Sequence, residues 1–439
     1  LVRALGQAAD PMVALNRFDD VVTKLPSAIN LFRLLEARPP LAHLLGDVLS
    51  LAPTLADMLG RRPDLIDGLI DATALDPPPD VAALVRRFST RPAGEDYQGL
   101  LDRVRREVGE LRFAQGVQIV SGARDPLGVA GGYARIAEGA LETLAAATVA
   151  EFETVHGRVK DGEMLILALG RFGGGALTHA SDLDLVFLFT GDHLAESNGA
   201  KPLGATHYFN RLAQRVTAAL SVPTAAGSLY EIDTRLRPSG NQGLLAVSLD
   251  SFARYQREGA WTWEHMALAR ARPLFGSEKA KAALQAVIDT TLRTPADRAQ
   301  LLVDAVKMRG DIALHKPPAG PLDVKLMAGG LVDLEFVVHV TQLLERTGFD
   351  PRLDVAIAAL VQAGFLPETL GPAHDLLTRL LVTLRLVSPN SGEPSAPAQT
   401  AIARALGLAD WPAVLAGLDQ ARQSVSESWR AIVAQAGEN

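Results

Sequence analysis

The sequence contains no cysteine, which removes disulfides, thiolate nucleophiles and cysteine-ligated zinc from consideration. Its nine histidines never fall three or four residues apart, the spacing that would set two imidazoles on one helix face for zinc. No apolar run approaches the roughly 20 residues of a membrane-spanning helix, and no signal-peptide pattern opens the chain, so the expected compartment is the cytoplasm. Basic charge is also in short supply. Lys and Arg number 43 against 50 Asp and Glu, a net charge of −7, whereas nucleic acid calls for an excess of surface cations. The first residue is Leu1, with no initiator Met. With 439 residues the chain exceeds one compact core and is expected to divide into two or three domains.

What the sequence does have is one polar motif set in an apolar frame. Residues 165–189, LILALGRFGGGALTHASDLDLVFLF, place Gly173 and Gly174 ahead of Asp182-Leu183-Asp184, which opens the apolar run to Phe189. On a strand, side chains i and i+2 share a face, so Asp182 and Asp184 point together while Leu183 turns into the core. Two carboxylates on one rigid edge can hold divalent ions. Glycines after a strand let the N–H groups of the turn, and of a helix following it, approach phosphate oxygens with no Cβ in the way. A Walker A loop is excluded, because Ala176 and Leu177 occupy the places of its Lys and Ser or Thr, and no G-x-G-x-x-G can be read here. The pattern of apolar-Gly-Gly, short helix and Asp-apolar-Asp resembles the nucleotidyltransferases of the DNA polymerase β superfamily, whose sites need a third carboxylate on a neighbouring strand.

The segment 229–233, Leu-Tyr-Glu-Ile-Asp, is a short β-prone run ending on Asp233, followed by Thr-Arg-Leu-Arg-Pro-Ser-Gly. Between it and the first motif, Thr206 to Leu220 carries Phe209, Leu212, Ala213, Val216 and Leu220 on one helical stripe. A strand–helix–strand order brings Asp233 beside the Asp pair. Glu231, two residues away on the same strand face, is the competing candidate, but Asp233 lies nearer the strand end where ligands gather. Arg235 and Arg237 stand where cations are wanted opposite a triphosphate, with pairing to surface carboxylates as the alternative.

Four ordered blocks, GRFGGGALTHASDLDLVFLF, YEIDTRLRPSG, AWTWEHMALARARP and KLMAGGLVDLEFVV, resemble the glutamine synthetase adenylyltransferases, two-headed enzymes that add AMP to glutamine synthetase and remove it. LRPSG followed by Gly243 to Leu245, and the Ala260 to His265 block, resemble the AMP-adding half, so the chain is expected to be an excised C-terminal transferase half. The resemblance implies a mostly helical α+β chain, with a DNA polymerase β-like α/β core at 161–310 between an N-terminal helical region (1–160) and a C-terminal helical bundle (311–439). It implies Asp182, Asp184 and Asp233 as catalytic metal ligands and Gly173, Gly174, Ser181, Arg235 and Arg237 as nucleotide-binding residues. The implied reaction is two-metal in-line transfer of AMP from ATP to a tyrosine, with Mg²⁺ or Mn²⁺, and with Asp233 as general base. Glutamine synthetase is the implied protein substrate and the PII signal protein a regulatory partner acting through the other half or a linker; neither nucleic acid nor a membrane is expected. Arg171, where Lys is common, Ala180 and Ala328 depart from the family pattern without removing a ligand. The AMP-removing half, a small-molecule nucleotidyltransferase and a non-catalytic module are the alternatives.

Outside the core, apolar periodicity runs at helical spacing through Leu31–Leu49, Ala52–Leu59, Val81–Phe88, Leu100–Gln118 and Leu141–His156, and Pro39-Pro40, Pro53, Pro63 and Pro77-Pro78-Pro79 interrupt it, predicting short helices with prolines at their starts. Arg86-Arg87, Arg103 and Arg105-Arg106 read as solvated faces. Further helices are expected at Ser277–Leu292, Leu301–Leu314, Leu331–Arg346, Val355–Gly364, Gly371–Val387, Trp411–Leu418 and Ala421–Val433, with a linker at 310–325 and a loop at 388–397. Asp333 and Glu335, near Gly329-Gly330, read first as helix N-terminal charges. Trp261, Trp263 and His265 read as packing residues.

Overall fold

The computed structural model describes residues 5–437, apart from 7, 9, 26 and 71–75. The chain opens with α1 (Pro11–Lys24), α2 (Ala28–Ala37), α3 (Pro39–Leu51), α4 (Pro53–Arg61) and α5 (Leu65–Ile70). Proline sets the joints: Pro39 and Pro53 begin α3 and α4, where the missing N–H has no intrahelical partner to lose. The run from Leu31 to Leu49 is therefore two helices, broken at Arg38, where Pro39-Pro40 was expected to interrupt it. Then come α6 (Val81–Ser89), α7 (Tyr97–Val120) and α8 (Pro126–His156). At 24 and 31 residues, α7 and α8 are longer than the short elements expected, since no proline falls beyond the first position of either. Asp125 caps α8 by accepting from the Leu127 N–H at 2.8 Å.

The sheet comprises β1 (Met164–Ala168), β2 (Leu183–Phe189), β3 (Ile232–Asp233), β4 (Ala246–Ser248) and β5 (Arg272–Phe275), ordered β3-β2-β1-β5 with β4 also on β2. β1 and β2 are antiparallel, Met164 opposite Phe189 through Ala168 opposite Leu185. A single helical turn, α9 (Gly170–Gly173), begins their connection. β3 and β4 run parallel to β2, which requires a crossover. α10 (Ala205–Ser221) supplies it, with α11 (Leu249–Glu258) and α12 (Thr262–Leu268) leading to β5. β1 is buried throughout, and Asp184 is the one residue of β2 that is not. Arg105, expected on a solvated face, is buried: its guanidinium donates to the Ala219 and Val222 carbonyls at 2.7 and 2.9 Å, tying α7 to the C-terminal end of α10.

The remainder is helical: α13 (Glu278–Arg293), α14 (Arg298–His315), α15 (Leu331–Glu345), α16 (Leu353–Gln362), α17 (Leu370–Val387), α18 (Ala396–Ala405) and α19 (Trp411–Gly437). The division expected at 160–161 lies in the loop between α8 and β1, while that at 310–311 falls inside α14. The expected linker is not free chain. Its first residues belong to α14, and Leu322 and Val324 are buried. α18 starts inside the expected 388–397 loop, and α19 is one helix where two were expected.

α8 is the pillar of the molecule, packed on α6, α7, α10 and α17. Its small residues permit this: a Cβ on Gly139 would come within 2.8 Å of the Leu84 Cβ. The C-terminal helices close back on the N-terminal ones through Arg379 with Asp125 (2.9 Å) and through the Thr54 hydroxyl donating to the Arg385 carbonyl (3.0 Å). Two helical regions thus enclose one edge of a small mixed sheet, the mostly helical α+β architecture expected. No helix among the described residues is long and apolar enough to cross a membrane.

Candidate functional site

Asp182, Asp184 and Asp233 converge at the sheet edge. In the parallel β2–β3 pairing Leu183 stands opposite Ile232 and Asp184 opposite Asp233, and one carboxylate oxygen from each of the three lies within 4.8 Å of the others. The backbone folds tightly around them. The Leu169 N–H donates to the Asp184 carbonyl at 3.0 Å, and the next residue, Gly170, has φ +55°. A Cβ on Gly170 would sit 2.4 Å from Asp184 Oδ2, so this first glycine of the motif, rather than the Gly173-Gly174 pair, is the one the carboxylate demands.

Three like charges at this range oppose one another. Burial, and then the charges of Asp182 and Asp233, push the Asp184 carboxyl up to about 7, against the pull of Lys325 and Arg270. Hard carboxylate oxygens so grouped, one of them strained toward protonation, fit a divalent cation of the Mg²⁺ or Mn²⁺ type.

Asp233 is placed differently. Its carboxylate accepts from the Arg235 backbone N–H at 2.8 Å and from Arg235 Nε at 2.9 and 3.0 Å, and these bonds hold its pKa below the usual carboxylate range. That makes Asp233 a weaker proton acceptor than expected. Arg235 is thus committed to Asp233 rather than facing open space, although its side chain remains 66% exposed. Arg237 donates to Thr234 carbonyl and hydroxyl oxygens at 2.8 and 3.1 Å. Glu231 is exposed; its carbonyl receives the Leu183 N–H at 2.9 Å while its carboxylate lies outside the converging group. Ser181 ties down the loop before Asp182, its hydroxyl accepting from the Thr178 N–H at 2.9 Å.

Gly173 and Gly174 end a helical turn; no helix follows them, contrary to the expected order. Their N–H groups donate to the Leu169 and Gly170 carbonyls at 2.8 and 3.0 Å, so the amides without intrahelical acceptors are those of the turn's first residues, beside Asp184. The missing Cβ atoms make room for Arg270: one on Gly173 would lie 1.9 Å from its carbonyl oxygen, and one on Gly174 would lie 2.7 Å from its Nη2.

Several residues of the site carry no local sequence signal. Arg112, on α7, donates to the His179 carbonyl and, at 3.0 Å, to the Leu229 carbonyl, stapling together the two segments that lead into Asp182 and Asp233. Arg270 pairs with Glu335 at 2.6 Å. Asp333 faces elsewhere, bonded to Arg309 and accepting from the Gly329 N–H at 2.6 Å, as two residues i and i+2 on a helix must diverge. Both acids are therefore ion-paired rather than simple dipole partners. Trp261 is 68% exposed, not core, and His265 Nε2 meets the Gln256 carbonyl at 3.0 Å. A cleft of ≈ 950 Å³ between α4, the start of α5 and α7 on one side and the 221–231 segment on the other opens onto Asp182, lined also by Arg61, Arg106 and Glu231.

The family model described as glutamate-ammonia ligase adenylyltransferase matches residues 42–287, and one described as GlnD PII-uridylyltransferase matches residues 313–433. A bifunctional glutamine synthetase adenylyltransferase/adenylyl-removing enzyme of Mesorhizobium japonicum is 38% identical over 401 residues, covering 90% of this chain and 41% of the relative. Proteins of the same description from Brucella suis (40% identity; 80% of this chain, 36% of the relative) and Agrobacterium fabrum (39%; 78% and 35%) are also similar. The chain spans less than half the length of these curated relatives.

Proposed function

The chain belongs to the glutamate-ammonia ligase adenylyltransferase family, and from that premise we propose that it is the AMP-adding half, transferring AMP from ATP to a tyrosine of glutamine synthetase. The observation that carries this is the convergence of the Asp182, Asp184 and Asp233 oxygens within 4.8 Å beside a glycine turn. A single carboxylate pair would bind an ion; three, with a close-approach turn at Gly170, suit an ion and a polyphosphate together.

In this reading the tyrosine oxygen attacks the α-phosphorus, the bond from that phosphorus to the α–β bridging oxygen breaks, and pyrophosphate leaves with the bridging electrons. Asp182, Asp184 and Asp233 hold the divalent ions, Mg²⁺ or Mn²⁺. When bound, these ions lower the pKa of the tyrosine hydroxyl and neutralise the leaving group. Asp182 and Asp184 would be shared between the ions, with Asp233 a ligand of one of them. The turn at 170–174 and Ser181 position the phosphates. The Arg235–Asp233 pair has to open for Asp233 to ligate, which frees an exposed guanidinium for phosphate; Arg237 shapes the loop beneath it. The proton of the hydroxyl passes to a carboxylate of the triad. The acceptor enters by the cleft that opens onto Asp182. Control by the PII signal protein, if exerted on the full-length enzyme, would reach this half from outside it.

Substrate direction is the test. Given unmodified glutamine synthetase, labelled ATP and Mg²⁺, the chain is expected to label a tyrosine and release pyrophosphate; given adenylylated glutamine synthetase and inorganic phosphate it should release little ADP. Rapid phosphorolysis with no labelling would assign the chain to the AMP-removing half, and the absence of both reactions would overturn the family-based reading of the substrate.

A further inference from the structure

The cleft that opens onto Asp182 inverts the charge balance of the chain. Acids exceed bases overall, for a net charge of −7, yet five arginines line this cleft against three carboxylates, those of Asp64, Asp182 and Glu231. Three of the arginines hold the walls together. Arg105 and Arg112 donate to backbone carbonyls, and Arg62 pairs with Asp64 and, at 3.3 Å, with Glu110 while donating to the Arg106 carbonyl at 3.1 Å. Arg61 and Arg106 remain. Both are exposed and line the cleft, from the last residue of α4 and the middle of α7, and among the described residues no hydrogen bond or ion pair engages either side chain.

The facing wall has room for a backbone. There the 221–231 segment presents Ala225, Ala226, Gly227 and Ser228 on a turn closed by Thr224 and Gly227, whose N–H groups donate to each other's carbonyls at 3.0 and 2.9 Å. Over these four residues the wall offers backbone and little side chain. At ≈ 950 Å³ the cleft stands at the upper end of the roughly 300–1,000 Å³ of small-ligand sites, which suits several residues of extended chain. The cleft and the glycine turn also reach the triad from different sides. Ser181 and Asp182 line the cleft and no residue of 170–174 does, whereas Gly174 lines cavities bounded by α8, α16 and α17. A nucleotide whose phosphates lie on the turn therefore leaves the cleft to the acceptor.

We propose that this cleft docks the acceptor as an extended protein segment in which acidic residues flank the tyrosine, Arg61 and Arg106 receiving the carboxylates while the tyrosine hydroxyl reaches Asp182. This rests on the reading of the chain as the AMP-adding half and deepens it by naming the chemistry of the acceptor segment and the surface that reads it. Asp182 and Glu231 set the register, since they repel a carboxylate beside the triad and accept an uncharged hydroxyl. Arg112 holds the His179 carbonyl close to Asp182, and Arg106 stands six residues earlier on the same helix, about 9 Å along its axis. That is the span of about three residues of extended chain, so the acids stand three or more residues from the tyrosine. Arginine suits them because its fork meets a carboxylate with two parallel bonds. Exposed as they are, the two arginines act on encounter and register, and salt weakens them.

The experiment measures AMP transfer with Mg²⁺ at varied glutamine synthetase and, separately, at varied ATP, for wild type, Arg61→Glu, Arg106→Glu, the double variant and the conservative Arg106→Lys. Fluorescence anisotropy of a labelled peptide with one tyrosine between glutamates, and of its counterpart with lysines for glutamates, reads binding without catalysis. Each reversal is expected to lower kcat/KM for glutamine synthetase about 3- to 10-fold, the scale of one exposed charge made repulsive. The double variant should lose more, the loss should shrink at high salt, and KM for ATP should stay at the wild-type value; Arg106→Lys should keep most of the wild-type rate. Wild type should prefer the acidic peptide and the double variant the basic one. Thermal melts establish that the variants are folded, as exposed positions lead one to expect. Folded reversals that keep the wild-type kcat/KM for glutamine synthetase and the wild-type peptide preference overturn the docking surface and leave the AMP-adding reading intact. A raised KM for ATP with an unchanged KM for glutamine synthetase gives the cleft to the nucleotide and overturns it equally. A wild type that labels no glutamine synthetase yet prefers the acidic peptide keeps the surface and loses the named substrate, and one that does neither overturns both.

Discussion

Asp184→Asn should stabilise the metal-free protein while removing its activity, and it should do so in a pH-dependent way. The folded-state carboxyl titrates at about 7 against an ordinary value of 3.8. Below about pH 4 folded and unfolded chains both hold the proton, and the group is neutral toward stability. Between there and 7 the unfolded chain has released the proton while the folded chain retains it, so stability falls as pH rises, and the full cost stands above 7. A shift of about three units corresponds to ~4 kcal/mol at 1.36 kcal/mol per unit. Asp182 is exposed and water screens part of the repulsion, leaving ~2 kcal/mol as the expected effect, about 2–4 °C in Tm for a cooperative unit of this size. The assay is thermal melting of wild type and variant in chelator at pH 5 and pH 8. The Tm difference should favour the variant at both, by about a third as much at pH 5 as at pH 8, because the unfolded carboxyl has largely released its proton by pH 5 while the folded one keeps it until about 7. Millimolar Mg²⁺ should reverse the order, because it stabilises only the wild-type triad. A difference that does not change with pH would refute the like-charge account of this site.

Asp182→Asn and Asp233→Asn should each lower AMP transfer about 10³-fold or more with little change in Tm, measured by incorporation of labelled AMP; wild-type turnover in either would remove that residue from the metal site. Gly170→Ala should abolish transfer in a folded protein, since its Cβ would lie 2.4 Å from Asp184 Oδ2 and φ is +55°; retained activity with unchanged Mg²⁺ dependence would show that the contact does not matter. Asp333→Ala should lower stability by about 3–5 kcal/mol, because it strands the buried Arg309, while the surviving folded fraction keeps its ATP affinity; a loss of affinity without a loss of stability would place Asp333 in the nucleotide site.

The local chemistry of the catalytic strands was legible in the residues themselves. Asp-Leu-Asp at the head of an apolar run dictates two carboxylates on one face, and the amphipathic stripe at Thr206–Leu220 dictates a crossover helix, which is what turns β3 parallel to β2 and sets Asp233 opposite Asp184. Proline placed the joints of the N-terminal helices for the same reason, since its missing N–H is tolerated at a first turn. Other features follow only from tertiary contact. No periodicity indicates that Arg105 caps α10 from a helix more than a hundred residues away, that Arg112 binds the carbonyls leading to two ligand strands, or that Gly170 rather than Gly173 or Gly174 abuts Asp184. The same holds for the fate of each charge: Arg235 turned to Asp233, Asp333 to Arg309 and Glu335 to Arg270. Sequence determines which groups can ionise and which face they share locally. Only the packing of the two helical regions against the sheet decides which opposite charges meet, because burial and distance, rather than position in the chain, set the energy of a charge.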